Sequence, residues 1–165
     1  MKDKPFHEGS EELFKTLFEQ AAVGVAQVSP DGSFLQINEK FCQIVGYRRE
    51  ELYELTFRDI THPDDVHLEE EQIERVLAGE KDAFEIEKRY LHKAGRVIWI
   101  NLYSNVVRRD DGRVKYAVAV VTDITKQKRT EKKLRESEER FRQIYEHMAV
   151  GIARVSLTFF IEGAN

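Results

Sequence analysis

Residues 84–122, FEIEKRYLHKAGRVIWINLYSNVVRRDDGRVKYAVAVVT, decide the fold. They hold three strand-like runs, 84–92, 96–108 and 113–122, parted only by Lys93-Ala94-Gly95 and by Asp110-Asp111-Gly112. Each connection is short and carries a glycine, so consecutive strands fold back as antiparallel hairpins. Upstream, 23–28 and 33–37 read as two shorter strands around Ser29-Pro30-Asp31-Gly32, a strong turn signal. Between the two sets lie helical stretches. Asn38 opens NEKFCQIVGY, which Gly46 ends, and short helices follow at 49–55 and 57–60. His62-Pro63-Asp64-Asp65 then begins a longer helix with Val66, Ile73, Val76 and Leu77 at helical spacing and Gly79 as its stop. Two strands, a group of helices, then three strands predict an α+β domain: a five-stranded antiparallel sheet with helices on one face.

Working outward, residues 1–10 are polar, and Ser10, Glu11 and Glu12 favour a helix start. Leu13, Phe14, Leu17, Phe18 and Ala21 recur at helical spacing, giving an amphipathic helix. Its apolar face needs cover, from its own domain or from the same helix of another subunit.

Residues 12–29, ELFKTLFEQAAVGVAQVS, return at 139–156 as ERFRQIYEHMAVGIARVS, identical at nine of eighteen positions. The repeat sets the boundaries: a lead and cap helix at 1–20, a complete module at 21–125, a connector at 126–148, and the start of a second module at 149–165. A unit repeated head to tail is more often a sensing or binding module than a catalytic one. The connector is rich in charge, with Gln127, Thr130, Leu134, Ser137, Phe141, Ile144 and Met148 at heptad spacing. A marginal two-stranded coiled coil is expected, a single solvated helix being the plainer reading. The predicted homodimer interface is therefore Leu13, Phe14, Leu17, Phe18, Leu134, Phe141, Ile144 and Met148.

Composition narrows the function classes. A net charge of −4 gives no general electrostatic reason to expect nucleic acid. Lys126, Lys128, Arg129, Lys132 and Lys133 alternate with glutamates, as on a solvated helix. Cys42 is the only cysteine, which rules out a disulfide within one chain and fits a reducing compartment. No stretch approaches the ~18 apolar residues of a membrane span. A cytoplasmic location without direct membrane contact by this segment is expected. There is no P-loop, GxGxxG, Ser-His-Asp or HExxH pattern, so no catalysis is expected of these residues.

Taken in order, several motifs resemble the PAS domain with its C-terminal PAC segment, over about residues 14–128. VGVAQVSPDGSFLQIN is similar to the family's first hairpin, closed by Asn38. FCQIVGYRREEL at 41–52 resembles the helix-and-turn motif that follows, and His62-Pro63-Asp64-Asp65 the approach to the long helix. Trp99, Asp110-Asp111-Gly112 and Asp123-Ile124-Thr125 match the fourth strand, the last hairpin turn and the end of the last strand. The second copy departs from the pattern at 157–163, where LTFFIEG replaces the Asp-Gly turn.

The resemblance implies a signal-sensing module feeding a C-terminal effector in the same parent chain, a histidine kinase or a cyclic-dinucleotide enzyme. It also implies a small pocket between sheet and long helix, for which Phe41, Ile44, Phe57, Ile60, Ile73, Leu77, Tyr90, Ile100, Leu102 and Val118 are candidates. Each is equally readable as ordinary core. Asp123, Ile124 and Thr125 are the expected relay, with Asp123 and then Thr125 capping the helix that follows. Cofactors are tested residue by residue. Cys42 sits in KFCQIV rather than the Asn-Cys-Arg-Phe-Leu of flavin-adduct photosensors, and reads as a buried, inert thiol. His67 is flanked by Asp64, Asp65, Glu69 and Glu70, which reads as a solvent face rather than a haem pocket. A non-covalent flavin stays open, and so equally does an empty pocket. The competing reading is a ligand-free PAS domain serving as a dimerisation or docking module.

Overall fold

The computed structural model describes the backbone of residues 7–162 and the side chains of residues 10–145. The Met148 side chain, predicted for the dimer interface, lies outside the described residues. The chain divides into two compact units, Met1–Thr125 and Lys126–Asn165.

In the first unit, helix α1 (His7–Glu19) precedes strands β1 (Gly24–Val28) and β2 (Phe34–Ile37). Helices α2 (Glu39–Val45), α3 (Arg49–Tyr53) and α4 (Phe57–Ile60) follow, then a 3-10 turn at Pro63–Asp65 leading into α5 (Val66–Leu77). Strands β3 (Ala83–Leu91), β4 (Val97–Arg108) and β5 (Val114–Asp123) complete one five-stranded sheet, ordered β2-β1-β5-β4-β3. Every neighbouring pair is antiparallel, as the hairpin connections predict.

Alternation along the strands builds the core. On β4, Ile98, Ile100, Leu102 and Ser104 are buried, whereas Tyr103 and Val107 are exposed on the opposite parity. Ala26, Ile37, Phe41, Val45, Leu52, Ile60 and Val121 close the packing between sheet and helices.

Asn38 ties the segments together at the centre of this packing and is wholly buried. Its Oδ1 accepts the N–H groups of Val25 and Phe41, each at 2.9 Å. Its Nδ2 donates to the carbonyls of Phe18 at 2.9 Å and Val23 at 3.0 Å. One amide thus caps α2 and anchors the end of α1 and the start of β1, with its donors and acceptor all used. Gly46 ends α2 at φ +77°, and a Cβ there would fall 2.2 Å from the His92 ring. Both the left-handed backbone and the lack of space require glycine.

In the second unit, helix α6 (Thr125–Glu162) carries its charges in solvent, with Gln127 donating to Glu131 at 2.9 Å and Lys132 lying 3.8 Å from Glu136. Leu134, Phe141 and Ile144 are 61%, 62% and 49% exposed. The helix continues through 149–162, whose opening residues repeat the β1 sequence, so the expected start of a second module takes no strand form there. β1 exists because β2 and β5 supply its hydrogen bonds on both sides. The copy has no paired strand among the described residues, and a helix already nucleated upstream extends at little cost.

Candidate functional site

A cavity of about 70 Å³ lies between α4, α5, the β1–β2 turn and the inner face of β3, β4 and β5. Six of the ten sequence-predicted residues line it: Phe41, Phe57, Ile73, Leu77, Tyr90 and Leu102. Ile44, Ile60 and Ile100 are buried but belong to the core away from the cavity. Val118 is a correction. It pairs with Gln27 and Asn105, one step out of phase with Ala117 and Ala119, which face the cavity. A one-residue change of parity moves a side chain to the other face of the sheet.

The cavity wall also holds polar groups that the sequence reading did not single out. Glu69 projects from α5 and is 6% exposed. Its carboxylate takes a charged hydrogen bond from Lys88 Nζ, which is fully buried on β3. Lys88 also donates to Thr61 Oγ1 at 2.8 Å, and Thr61 in turn donates to the Phe57 carbonyl at 2.7 Å. The ammonium lies 4.6 Å from the Tyr90 ring centre and 5.6 Å from that of Phe57. Burial disfavours its charge and pushes its pKa down, while Glu69 opposes that shift. Burial likewise pushes the Tyr90 phenol well above its ordinary range, with the Glu69 charge adding to it, so this hydroxyl stays protonated.

The expected solvent face around His67 is only partly one. His67 and Asp64 are exposed, but Asp65 and Glu69 point inward. Asp65 takes the Arg89 backbone N–H at 2.7 Å and its guanidinium at 2.9 and 2.5 Å, and these contacts hold the carboxyl below its usual pKa. Parity carried the missing signal. Lys88 shares the inward register of β3 with Phe84 and Tyr90, and Glu69 lies one helical turn before Ile73.

Cofactor fit follows from the size of the space. Drug-sized ligands occupy pockets of roughly 300–1,000 Å³. A cavity of about 70 Å³ accommodates neither an isoalloxazine ring nor a haem in this conformation. The Cys42 thiol is buried and its pKa is raised by burial, as an inert core thiol would be. Among the described residues no group of three His, Cys, Asp or Glu side chains could hold a metal ion. No helix there is long and apolar enough to cross a membrane.

At the far end of β5, the Asp123 carboxylate accepts the Thr125 N–H at 2.9 Å, the cap expected of it. Thr125 behaves differently from its expectation as a second cap. Its hydroxyl oxygen accepts the Trp99 N–H at 3.0 Å, tying the first residue of α6 to β4. Ile124, between them, is buried and donates its N–H to the Trp99 carbonyl at 2.9 Å. Of the predicted dimer positions, Leu13, Phe14 and Leu17 are 58%, 62% and 63% exposed on α1. Phe18 is half-buried and stacks on Phe14 with ring centres 6.0 Å apart.

Comparison with known proteins places these features. Residues 34–121 match the sequence model described as the PAS fold. The chain is 38% identical over 143 residues to the probable diguanylate cyclase DgcE of Escherichia coli K12, covering 87% of this chain and 13% of that protein. It is 23% identical over 142 residues to the sensor histidine kinase TmoS of Ectopseudomonas mendocina, covering 86% of this chain and 15% of that protein. The chain therefore spans less than a sixth of the length of these relatives. Among solved structures, the PAS domain of a Colwellia psychrerythraea protein superposes with a TM-score of 0.65 at 21% identity, over 71% of this chain and 98% of that one.

Proposed function

This chain belongs to the PAS fold family, and from that premise we propose that it is the sensory region of a larger cytoplasmic signalling protein. In this reading a small ligand enters the cavity between α5 and the sheet. The response leaves through Asp123-Ile124-Thr125 into α6 and on to a C-terminal effector, a histidine kinase or a cyclic-dinucleotide enzyme. The segment itself is non-catalytic. Two relatives, a sensor histidine kinase and a probable diguanylate cyclase, support these effector classes.

The observation that carries this reading is the junction at Trp99. β4 lines the cavity through Leu102 and Ser104, and three residues earlier it holds both Ile124 and Thr125. A ligand that shifts β4 differently in two states would shift the root of α6, because no flexible linker intervenes to absorb the movement. The test is chemical. Denatured protein should release a small molecule detectable by mass spectrometry, or a metabolite screen should raise the melting temperature. If neither occurs, the ligand-sensing reading gives way to the second one.

That second reading is a ligand-free dimerisation or docking module. It is supported by apolar side chains left exposed on the outer sheet face, Tyr103 at 45% and Val107 at 38%, and on the open face of α1. Where such side chains form a contiguous patch, they suit an association surface.

A further inference from the structure

Among the described residues, two hydroxyls on the cavity wall have no hydrogen-bond partner. Tyr90 is 2% exposed and Ser104 is 5% exposed, both line the cavity, and neither side chain makes a hydrogen bond among the described residues. The sealed polar atom left without a partner among those residues is Asn101 Oδ1 alone. The Tyr90 and Ser104 oxygens therefore border open space, and the cavity is the space that touches both residues. Buried hydroxyls that protein does not satisfy are satisfied by what fills the space beside them.

From this lining we propose that the cavity takes a small, uncharged, chiefly apolar molecule whose oxygen accepts a hydrogen bond from the Tyr90 hydroxyl, such as a short-chain alcohol, aldehyde or ketone. The proposal rests on the reading of this cavity as the sensing site.

Charge, size and position each support that class. Among the described residues Glu69 is the one carboxylate on the wall, and Lys88 already holds it, so the two buried charges sum to zero. An anion would face the Glu69 carboxylate with no free cation beside it among the described residues, since the Lys88 ammonium is committed to Glu69 and Thr61. Arg58 is engaged with Glu70 at 2.7 Å. A cation would lose its hydration without gaining a free carboxylate. In size, the cavity of about 70 Å³ is near half of the ~150 Å³ that admits benzene, which sets the ligand at about three to five heavy atoms. In position, Tyr90 pairs with Ile98, six residues from Ser104 along β4, or roughly 20 Å along the strand. The ligand is seated at the Tyr90 end of this span. Glu69 and the Phe41 ring, 6.4 Å from the Tyr90 ring, line the cavity together with Tyr90.

The test is a nuclear magnetic resonance titration of the full 165-residue chain with 1-propanol, propionate and propylammonium, which share a carbon chain and differ in charge. We expect 1-propanol to bind at least tenfold more tightly than either ion. Tyr90→Phe should weaken it about tenfold, the worth of one hydrogen bond, while Ser104→Ala changes it less than twofold. Ala119→Val, which fills the cavity from β5, should abolish binding and provides a second check should Tyr90→Phe fail to fold. Tighter binding of propionate or propylammonium would overturn the ligand class and leave the sensing reading intact. Unchanged affinity in folded Tyr90→Phe would overturn the assignment of the hydroxyl. Absence of binding by all three probes would overturn the proposal and count against the cavity as a sensing site.

Discussion

The Trp99 backbone N–H donates to the Thr125 hydroxyl at 3.0 Å, so the first residue of α6 fills a hydrogen-bonding position on β4. The Ile124 N–H returns to the Trp99 carbonyl at 2.9 Å, so both backbone groups of Trp99 are satisfied by the junction rather than by a neighbouring strand. Ile124 and Thr125 thus both bond the Trp99 backbone.

Thr125→Val keeps the shape and removes the acceptor, leaving the Trp99 N–H unpaired. A loss of about 1–3 kcal/mol is expected, with Thr125→Ser restoring most of it. Hydrogen exchange at the Trp99 amide is the direct measurement. Protection unchanged in Thr125→Val would show that the bond contributes nothing in solution.

The Lys88–Glu69 pair predicts a non-additive cycle. Lys88→Met strands a buried carboxylate and should cost about 3–5 kcal/mol, whereas replacing both partners by apolar residues is near neutral in other buried pairs. Adding Glu69→Leu to Lys88→Met should therefore recover most of the lost stability. Urea denaturation of the two singles and the double decides it, and simple additivity would refute the pairing.

How far these groups were legible depends on the pattern around them. The sheet was readable because its turns announce themselves, Lys93-Ala94-Gly95 and Asp110-Asp111-Gly112 each ending in a left-handed glycine. Asn38 and Gly46 marked the two ends of α2 for the same local reasons. Val118 was misplaced because AVAVV at 117–121 is apolar at every position, so period-2 alternation gives no signal there. Tertiary context selects Ala119 and Val121 for the inside. Lys88 and Glu69 carried the opposite problem: their charge argued for solvent, and only their register argued for burial. Nothing local distinguishes VGVAQVS at 23–29 from VGIARVS at 150–156, since neighbouring strands make the first a strand.

Acid should loosen the fold through Glu51 and Asp65. The Glu51 carboxyl is held down at about 2 from 4.5, chiefly by its hydrogen bond with Lys93, and Asp65 is lowered by Arg89. A carboxyl whose folded pKa is depressed contributes fully above its unfolded value and loses that contribution as pH falls through the folded one. Stability should thus decline from about pH 4.5 downward. Glutamine at 51 can still accept the Arg48 N–H in the cap, which the carboxylate takes at 2.9 Å, so Glu51→Gln isolates the charge. Melting temperatures should separate wild type and Glu51→Gln at pH 7 and converge near pH 2. A gap that persists at pH 2 would assign the difference to packing instead.

The exposed row on α6 tests the expected dimer. Leu134, Phe141 and Ile144 stand more than two-fifths exposed on a helix whose other positions are largely charged or polar up to Tyr145, an arrangement that costs free energy in an isolated helix and is relieved by pairing with a second copy. The early heptad positions Gln127, Thr130 and Ser137 weaken such a seam, which places the pairing strength at Leu134 and beyond. Leu134→Glu and Phe141→Glu should then convert a dimer into a monomer, read as a fall in sedimentation coefficient. Circular dichroism should show the sheet intact, because neither side chain belongs to the core of the first unit. A coefficient unchanged by both substitutions would remove α6 from the interface and leave Leu13, Phe14 and Leu17 of α1 as the surface to test next, by the same charge substitution at Phe14.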